Sequence, residues 1–200
     1  MCVDTNRLLD VIEKDIVPLT EVGVRKGNKL FGAAILRKDD LSVVVAETNN
    51  EVHNPLWHGE IHCIKKFFEI PEDKRPAAKD CVFLATHEPC SLCLSGITWS
   101  GFDNFYYLFS YEDSRDSFKV PYDIDILQSV YCVPDPGQEV SPERPLYNRK
   151  NKFFTSHFIK DMVKGDKKME ERINHLATVY DGLSETYQSG KGGAANVAFK

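Results

Sequence analysis

The stretch "PLWHGEIHC" (residues 55–63) contains two histidines, a glutamate and a cysteine in close succession. These side chains are the usual ligands of zinc and other transition metals. His58 and His62 are four residues apart, so a helix that begins near residue 57 would bring both to one face. Zinc proteases use a histidine pair of this spacing, but their glutamate directly follows the first histidine, whereas Glu60 comes one residue later. The stretch alone leaves open which side chains hold a metal.

A second group of candidate ligands lies in "THEPCSLC" (residues 86–93), where Cys90 and Cys93 form the one tightly spaced pair among the six cysteines. Two thiols three positions apart at the start of a helix can bind one ion, and the helix N-terminus favours the thiolate form. Zinc needs four ligands, and the lack of a second CxxC excludes a four-cysteine zinc ribbon. A thioredoxin-like redox pair is the alternative, but Thr86-His87-Glu88 is not the aromatic-Cys entry of that motif.

The composition is that of a globular chain of 200 residues, 42% of them hydrophobic, which suffices for one domain with room for an appended segment. No apolar run reaches the roughly 18 residues of a membrane span, and the N-terminus lacks a signal-peptide pattern. We therefore expect a cytoplasmic protein with reduced thiols. The net charge of −5 weighs against a nucleic-acid substrate. We interpret the basic residues of segment 149–172 as a solvated helix surface.

Hydrophobic periodicity predicts an α/β fold with the element order β-β-α-β-α-β after an N-terminal helix. Such an order places helices on the faces of a sheet. The predicted elements are a helix over residues 5–22 bent at Pro18, a hairpin of "KLFGAAIL" and "LSVVVAET" with "RKDD" between them, a helix from His58 to about Phe68, the strand "CVFLAT", a helix that begins near Cys90, and the strand "NFYYLFS".

Beyond about residue 120 the pattern weakens. The segment "YDIDILQSVY" (residues 122–131) is compatible with a helix or a strand. Residues 153–188 are predicted to be largely helical, with a break near Gly165. We therefore divide the chain into a core over residues 1–130 and a helical C-terminal extension over residues 131–200, which would be a lid, a dimer contact or a cap. The tail from about residue 190 is predicted to be flexible.

Together the two motifs form the pattern His58-x-Glu60 followed by Pro89-Cys90-x-x-Cys93, which is the signature of zinc nucleobase deaminases. On these residues the chain resembles the cytidine deaminase-like superfamily, in the branch of guanine, cytosine and tRNA adenosine deaminases. The resemblance runs from "LFGAAIL" through "YEDSRDSF", about half of the chain. Gly59 departs from the alanine of most relatives. The resemblance implies a three-layer α/β/α fold with a central mixed sheet, Zn²⁺ as the cofactor and a homodimer.

The resemblance also implies roles for individual residues. His58, Cys90 and Cys93 would be the zinc ligands, with a fourth position left for water. Glu60 would carry the proton without binding the metal. The substrate-binding positions that match the family pattern are Asn50, which would hold the ring, Trp99, which would pack against it, and Asp116, which would contact the base. Core packing is the alternative for Trp99, and a plain loop position is the alternative for Asp116. His62, Cys63 and His87 are expected to pack around the site without binding the metal.

Three functional hypotheses follow. The first is a zinc-dependent hydrolytic deaminase of a small free heterocycle, with a guanine-like aminopurine ahead of cytosine, that yields the keto product and ammonia. The second is a tRNA adenosine deaminase, against which the acidic charge weighs. The third is a catalytically inactive relative that binds a partner and keeps zinc for structure, against which the intact Glu60 argues. We expect a small-molecule heterocyclic substrate, no nucleic acid and no membrane contact.

Overall fold

Five strands form one mixed sheet in the part of the chain that the computed structural model describes, namely residues 3–129, 147, 149–150 and 153–190. The strands are β1 (Gly32–Arg37), β2 (Val43–Thr48), β3 (Cys81–His87), β4 (Asn104–Phe109) and β5 (Thr155–Phe158). Their spatial order is β2-β1-β3-β4-β5. Strand β1 pairs antiparallel with β2 and β3, whereas the β3–β4 and β4–β5 pairs are parallel. The predicted hairpin and mixed sheet are confirmed.

The helices of the described residues are α1 (Thr5–Val11), α2 (Val17–Arg25), α3 (Gly59–Glu69), α4 (Ser91–Trp99), α5 (Tyr111–Asp116), α6 (Tyr122–Ser129), α7 (Ile159–Met162) and α8 (Lys167–Gly190). A π-helical turn, Ile12–Ile16, joins α1 to α2. This irregularity directly precedes Pro18, because proline has no N–H to donate and its ring displaces the carbonyl one turn earlier. None of these described helices is long and apolar enough to cross a bilayer.

The strands separate two hydrophobic cores, one on each face of the sheet. Successive side chains of a strand point to opposite faces. On β1, Ala34 and Leu36 therefore join the core beneath α1, α2 and α8, while Ala33 and Ile35 join the core beneath α3 and α4. The same alternation holds on β3. The predicted three-layer α/β/α arrangement is confirmed, with α3 and α4, the helices of the two ligand motifs, in one layer.

The expectation that residues 153–188 are largely helical is wrong for Thr155–Phe158, which form the edge strand β5 beside β4. Ring stacking supports this pairing: His157 lies 4.5 Å from Tyr106 and Phe158 lies 5.1 Å from Tyr107, centroid to centroid. A segment of four residues is too short to show a period, so its conformation is decided by the neighbouring strand.

Within residues 159–190 the chain is largely helical, as predicted, with a break at Gly165, whose φ is 91°, between α7 and α8. Helix α8 packs on the N-terminal helices, and Arg172 pairs with Asp10 at 2.6 Å and with Glu13 at 3.0 Å. Strand β5 and helix α8 thus share the sheet and the core of the preceding residues. The division at residue 130 stays a prediction, and the tail predicted to be flexible from about residue 190 lies, from residue 191 onward, outside the described residues.

Gly59 allows α3 to touch the backbone of β1. A Cβ atom at Gly59 would lie 2.7 Å from the Cα and 2.9 Å from the N of Gly32, so no side chain fits there. Gly32 is required by a different contact, since a Cβ there would collide with the side chain of Ile16. Gly59, the first residue of α3, is therefore required by a backbone contact. This contact determines how closely α3 approaches the sheet.

We predict that Gly59→Ala lowers the free energy of unfolding by about 1–3 kcal/mol, because the added methyl group meets backbone atoms that cannot move aside. Urea denaturation measures the change. The control is Gly182→Ala in α8, where an added Cβ meets nothing within 4 Å. There the better helix propensity of alanine should stabilise the protein by up to about 1 kcal/mol. Equal effects of the two substitutions would contradict the close contact.

Candidate metal centre and active site

The site forms where two loops lead into helices. His58 is the N-cap of α3, and Cys90 is the N-cap of α4. Both residues have extended backbone, with ψ of 160° and 171°, so each side chain stands in front of the first turn of its helix. Cys93 lies within the first turn of α4. Helices α3 and α4 pack against each other in one layer, and their N-terminal ends bring the two motifs together.

The donor atoms of His58, Cys90 and Cys93 form one compact group. The Nδ1 atom of His58 lies 3.4 Å from the Sγ of Cys90 and 3.8 Å from that of Cys93, and the two sulfurs are 3.5 Å apart. Within the described ranges, no other three His, Cys, Asp or Glu side chains cluster in this way. One imidazole nitrogen and two thiolates suit zinc and leave a position for a further ligand. The residues therefore fit the metal that the motifs predict.

The three ligand residues influence each other's ionisation. The hydrogen bond between the two thiols and the neighbouring His58 outweigh burial and hold the pKa of Cys90 well below its usual value. Burial opposes the charged imidazolium, but the hydrogen bond to Cys90 and the nearby negative charges outweigh it and raise the pKa of His58 to about 9. The site therefore stabilises a thiolate at Cys90, which is the form that binds a metal.

Glu60 lies beside this group without belonging to it. Its side chain is in the first turn of α3, and the residue is only 5% exposed. Burial, together with the negative charge of Cys90, raises the pKa of Glu60 to about 7. A carboxyl group with a pKa near neutrality can both accept and release a proton at physiological pH. Position and ionisation agree with the predicted role of a proton carrier.

The chain does not bring Trp99 to the ligand group. Trp99 is the last residue of α4 and is 91% exposed. It follows the buried Cys93 by six residues, which at 100° per residue places the two on different sides of the helix. This exposure contradicts the core position that was the alternative for Trp99, whereas its packing against a substrate stays a prediction.

Asp116 also lies away from the site. It is the last residue of α5, its side chain is 62% exposed, and Arg115 binds it through two hydrogen bonds of 2.7 and 2.8 Å. This ion pair lowers the pKa of Asp116. A solvated carboxylate that is paired locally has no contact with a buried metal centre, and Asp116 is an exposed residue of a helix rather than the plain loop residue that was its alternative.

Asn50 is half-buried and bonds outward, with its Oδ1 atom 2.8 Å from Nδ1 of His53. Its neighbour Asn49 is the buried one, at 1% exposure. The Oδ1 of Asn49 accepts a hydrogen bond of 2.6 Å from the N–H of Gly59, directly after His58 in the chain. The structure therefore places Asn49, which the sequence analysis passed over, next to the ligand helix. Adjacent side chains at the end of a strand point in opposite directions, so only one of the two asparagines can face α3. The sequence pattern does not show which one.

Asp123 is a further residue that the sequence analysis did not identify. It lies on α6, which packs against α4, and it is half-buried. Burial and the negative charge of Cys90 raise the pKa of Asp123 to about 8, and Glu60, His58 and Lys29 also act on it. Its carboxyl group is therefore near the metal ligands. The sequence offered one signal for Asp123, an acidic residue in an apolar segment. The pattern of that segment fits a helix or a strand, so it did not show which way the side chain points.

The remaining histidines and cysteine of the motifs pack away from the ligand group. His62 stacks on Trp57 at 5.7 Å, and its Nδ1 is 3.0 Å from the carbonyl oxygen of Thr48. Cys63 is fully buried in the core between α3 and the sheet. His87 points to the opposite face of the sheet, among aromatic rings, and burial holds its pKa well below the usual value. None of the three is placed to bind the metal.

Comparisons with known proteins agree with this geometry. Residues 16–109 match the family model of the cytidine and deoxycytidylate deaminase zinc-binding region, a range that includes both motifs. The guanine deaminase of Bacillus subtilis (strain 168) is 28% identical over 108 residues, which are 52% of this chain and 66% of that protein. The match therefore spans just under two thirds of the relative.

Solved structures of two guanine deaminases share the fold. That of the Nitrosomonas europaea protein has a TM-score of 0.54 at 15% identity and covers 92% of this chain and 86% of its own. The structure of the Bacillus subtilis protein has a TM-score of 0.52 at 20% identity, and the match covers 84% of this chain and 95% of that protein's chain. The shared sheet, the zinc-binding region matched over residues 16–109 and the clustered His58, Cys90 and Cys93 make this chain similar to the cytidine deaminase-like superfamily, whose fold it has.

Proposed function

We propose that this protein is a zinc-dependent hydrolytic deaminase that converts an amino-substituted heterocycle to its keto product and ammonia, with a guanine-like aminopurine as the favoured substrate. The observation that carries the proposal is the position of Glu60, which is buried beside His58, Cys90 and Cys93 and outside the ligand group. A zinc site that only stabilises the fold does not require a buried proton carrier. This arrangement therefore argues against the hypothesis of a catalytically inactive binding protein.

The reaction uses the chain's own residues for proton transfer and orientation. His58, Cys90 and Cys93 would hold a zinc ion, which would supply the activation of a water molecule at neutral pH. Glu60 accepts one proton from the attacking water and passes it to the ring nitrogen beside the attacked carbon. It then takes the remaining proton from the hydroxyl group added at that carbon and gives it to the amine, so that the C–N bond breaks and ammonia leaves as the carbonyl forms. Its pKa of about 7 suits both directions of transfer. Backbone N–H groups at the start of α4 stabilise the negative charge that develops beside them.

Asp123 supports the choice of an aminopurine. Its carboxyl group is near the metal ligands and can accept hydrogen bonds from a ring N–H or from an exocyclic amine. Guanine presents two such donors on one edge, which matches the two oxygens of a carboxyl group. The guanine deaminase of Bacillus subtilis among the relatives points in the same direction. Cytosine is the next candidate. Asp123 thereby takes the base-contacting role that the sequence analysis gave to Asp116.

A tRNA adenosine deaminase is the second candidate, and the ion pairs of segment 149–172 weigh against it. Arg172 pairs with Asp10 and Glu13, and Lys160 lies 2.8 Å from Asp113. Arg149 lies 3.5 Å from the buried Glu88. Cations neutralised within the chain contribute little to the binding of phosphates. A small-molecule substrate is therefore favoured over RNA.

The expected localisation and oligomeric state remain predictions. The described cysteines, Cys63, Cys81, Cys90 and Cys93, are free thiols, which supports a reducing compartment such as the cytoplasm. The homodimer rests on the resemblance alone, and sedimentation equilibrium of the full chain would measure it.

We predict that Glu60→Gln retains one zinc per chain but lowers the rate of ammonia release from guanine by on the order of 10²–10⁴, because the amide cannot carry a proton. Metal analysis and a coupled ammonia assay measure the two quantities. The control is Glu69→Gln on the same helix, where an exposed carboxylate pairs with Lys65 and Lys66, and there activity should be unchanged. Full activity of Glu60→Gln would refute the proposed mechanism.

We expect Asp123→Asn to lower kcat/KM for guanine by about 10- to 100-fold above pH 8, where the carboxyl group of Asp123 is ionised and offers two acceptor oxygens while the amide offers one, with zinc content unchanged. Asp125→Asn is the matched control, since Asp125 is exposed on the same helix. The assay is run on guanine, cytosine, guanosine, adenosine and tRNA. An unchanged kcat/KM in Asp123→Asn, or a preference for tRNA in the unmodified protein, would remove the support for a free aminopurine.

Removal of the metal should abolish ammonia release and lower the melting temperature, because a ligand bound only by the folded state stabilises it by about 2.7 kcal/mol at a hundredfold excess over Kd. Dialysis against a chelator, followed by calorimetry and readdition of zinc, tests this. Recovery of both activity and melting temperature with zinc is expected, whereas activity that persists in the metal-free protein would contradict the assignment.

A further inference from the structure

A buried charged cluster lies on the side of His58 away from the two thiols, and the mechanism above makes no use of it. The cluster consists of Lys29, Asn49 and Glu51, which precede β1 or follow β2. The side chains of Lys29 and Glu51 are 7% and 1% exposed. Burying a carboxylate costs free energy unless the group is paired and hydrogen-bonded. A cluster of this kind beside a candidate metal ligand is therefore expected to have a function.

Both oxygens of Glu51 are occupied. Its Oε1 accepts a hydrogen bond of 2.7 Å from Nζ of Lys29, and its Oε2 accepts bonds of 3.2 Å from the backbone N–H of Lys29 and 2.9 Å from Nδ2 of Asn49. Three donors from two separate segments therefore hold the carboxylate in one orientation. In that orientation Oε1 lies 3.8 Å from Nε2 of His58.

The two nitrogens of His58 thus face different partners. Nδ1 faces the sulfurs of Cys90 and Cys93, while Nε2 faces Glu51. When a metal binds Nδ1, the proton of the neutral ring must sit on Nε2. The 3.8 Å distance is longer than a hydrogen bond, but the carboxylate attracts the polarised N–H across it. Carboxylates in this position orient metal-binding histidines and raise the basicity of the ring.

The cluster also holds the start of the ligand helix. Asn49 donates to Glu51 and accepts the hydrogen bond from the N–H of Gly59, the residue that follows His58. The same carboxylate is therefore connected to the ring of His58 and, through one amide, to its backbone. Position and ring orientation of this ligand are coupled.

We propose that Glu51, held by Lys29 and Asn49, is a positioning residue for His58 that presents Nδ1 to the metal and keeps the proton on Nε2. The inference rests on the zinc ligands of the proposed function and is independent of the substrate. It assigns to the buried Lys29–Glu51 pair a role in metal affinity, in addition to its part in packing.

The decisive variant is the double substitution Lys29→Met with Glu51→Gln. Glu51→Gln alone would leave the ammonium of Lys29 buried without its carboxylate, whereas the double variant removes both charges and keeps an oxygen that accepts from Asn49. Melting of the metal-free protein reports the fold, and competition with a chromophoric chelator reports the zinc affinity. We expect an unchanged melting temperature and zinc binding weakened by about 10- to 100-fold.

The matched control is Glu47→Gln. Glu47 also faces a histidine of α3, with Oε2 at 3.3 Å from Nδ1 of His62, but His62 is not in the ligand group. Zinc affinity should be unchanged in this variant. Long-range ¹H–¹⁵N spectra of the zinc-loaded protein add a direct readout, since the His58 signal should show Nε2–H in the unmodified chain and lose that single form in the double variant.

Unchanged zinc affinity in a folded double variant would overturn the inference, and so would an equal loss in Glu47→Gln or a chain that binds no zinc. Failure of the proposed function has a different outcome, because zinc binding is measured without substrate. A chain that releases no ammonia, but whose zinc affinity falls in the double variant alone, refutes the deaminase and supports the role of Glu51.

Discussion

The donor atoms of His58, Cys90 and Cys93 meet because two helices begin at the same place beside the sheet. Each helix begins with a ligand as its N-cap, and the close contact of Gly59 with Gly32 brings α3 against β1. If that contact were one methyl group wider, the imidazole would shift relative to both sulfurs. The metal site therefore depends on a backbone contact in which no side chain takes part.

Burial gives the site its chemical properties. Low exposure raises the pKa of Glu60 to about 7 and that of Asp123 to about 8, so both carboxyl groups can exchange protons near neutral pH. The same burial would make Glu51 costly without its hydrogen bonds and its ion pair with Lys29. We therefore propose separate roles for the three acidic residues near the candidate metal centre, namely proton transfer for Glu60, substrate contact for Asp123 and ligand orientation for Glu51, on the basis of their different surroundings.

Most of the fold could be predicted from periodicity, because the strands and the helices α1 to α4 have apolar residues at their own spacings. The edge strand β5 could not, since four residues show no period and pairing with β4 decides their conformation. Trp99 and Asp116 were assigned from short flanking motifs, and a motif does not specify which side of a helix faces the site. Asn49 carried no distinguishing signal, and the acidic Asp123 in an apolar segment carried only an ambiguous one, because the proximity of both residues to the ligands arises from packing of distant segments.

The sequence by itself determined which residues are proposed as the ligand set and the proton carrier, because the spacing of His58 to Glu60 and of Cys90 to Cys93 is local and each pair lies within one helical turn. The tertiary structure alone decided which other groups surround them. Lys29, Glu51 and Asp123 come from three separate segments, and only the packing of the loops before β1 and after β2 and of α6 brings them to the site. Contacts between distant segments depend on the shape of the whole core, which no local pattern encodes.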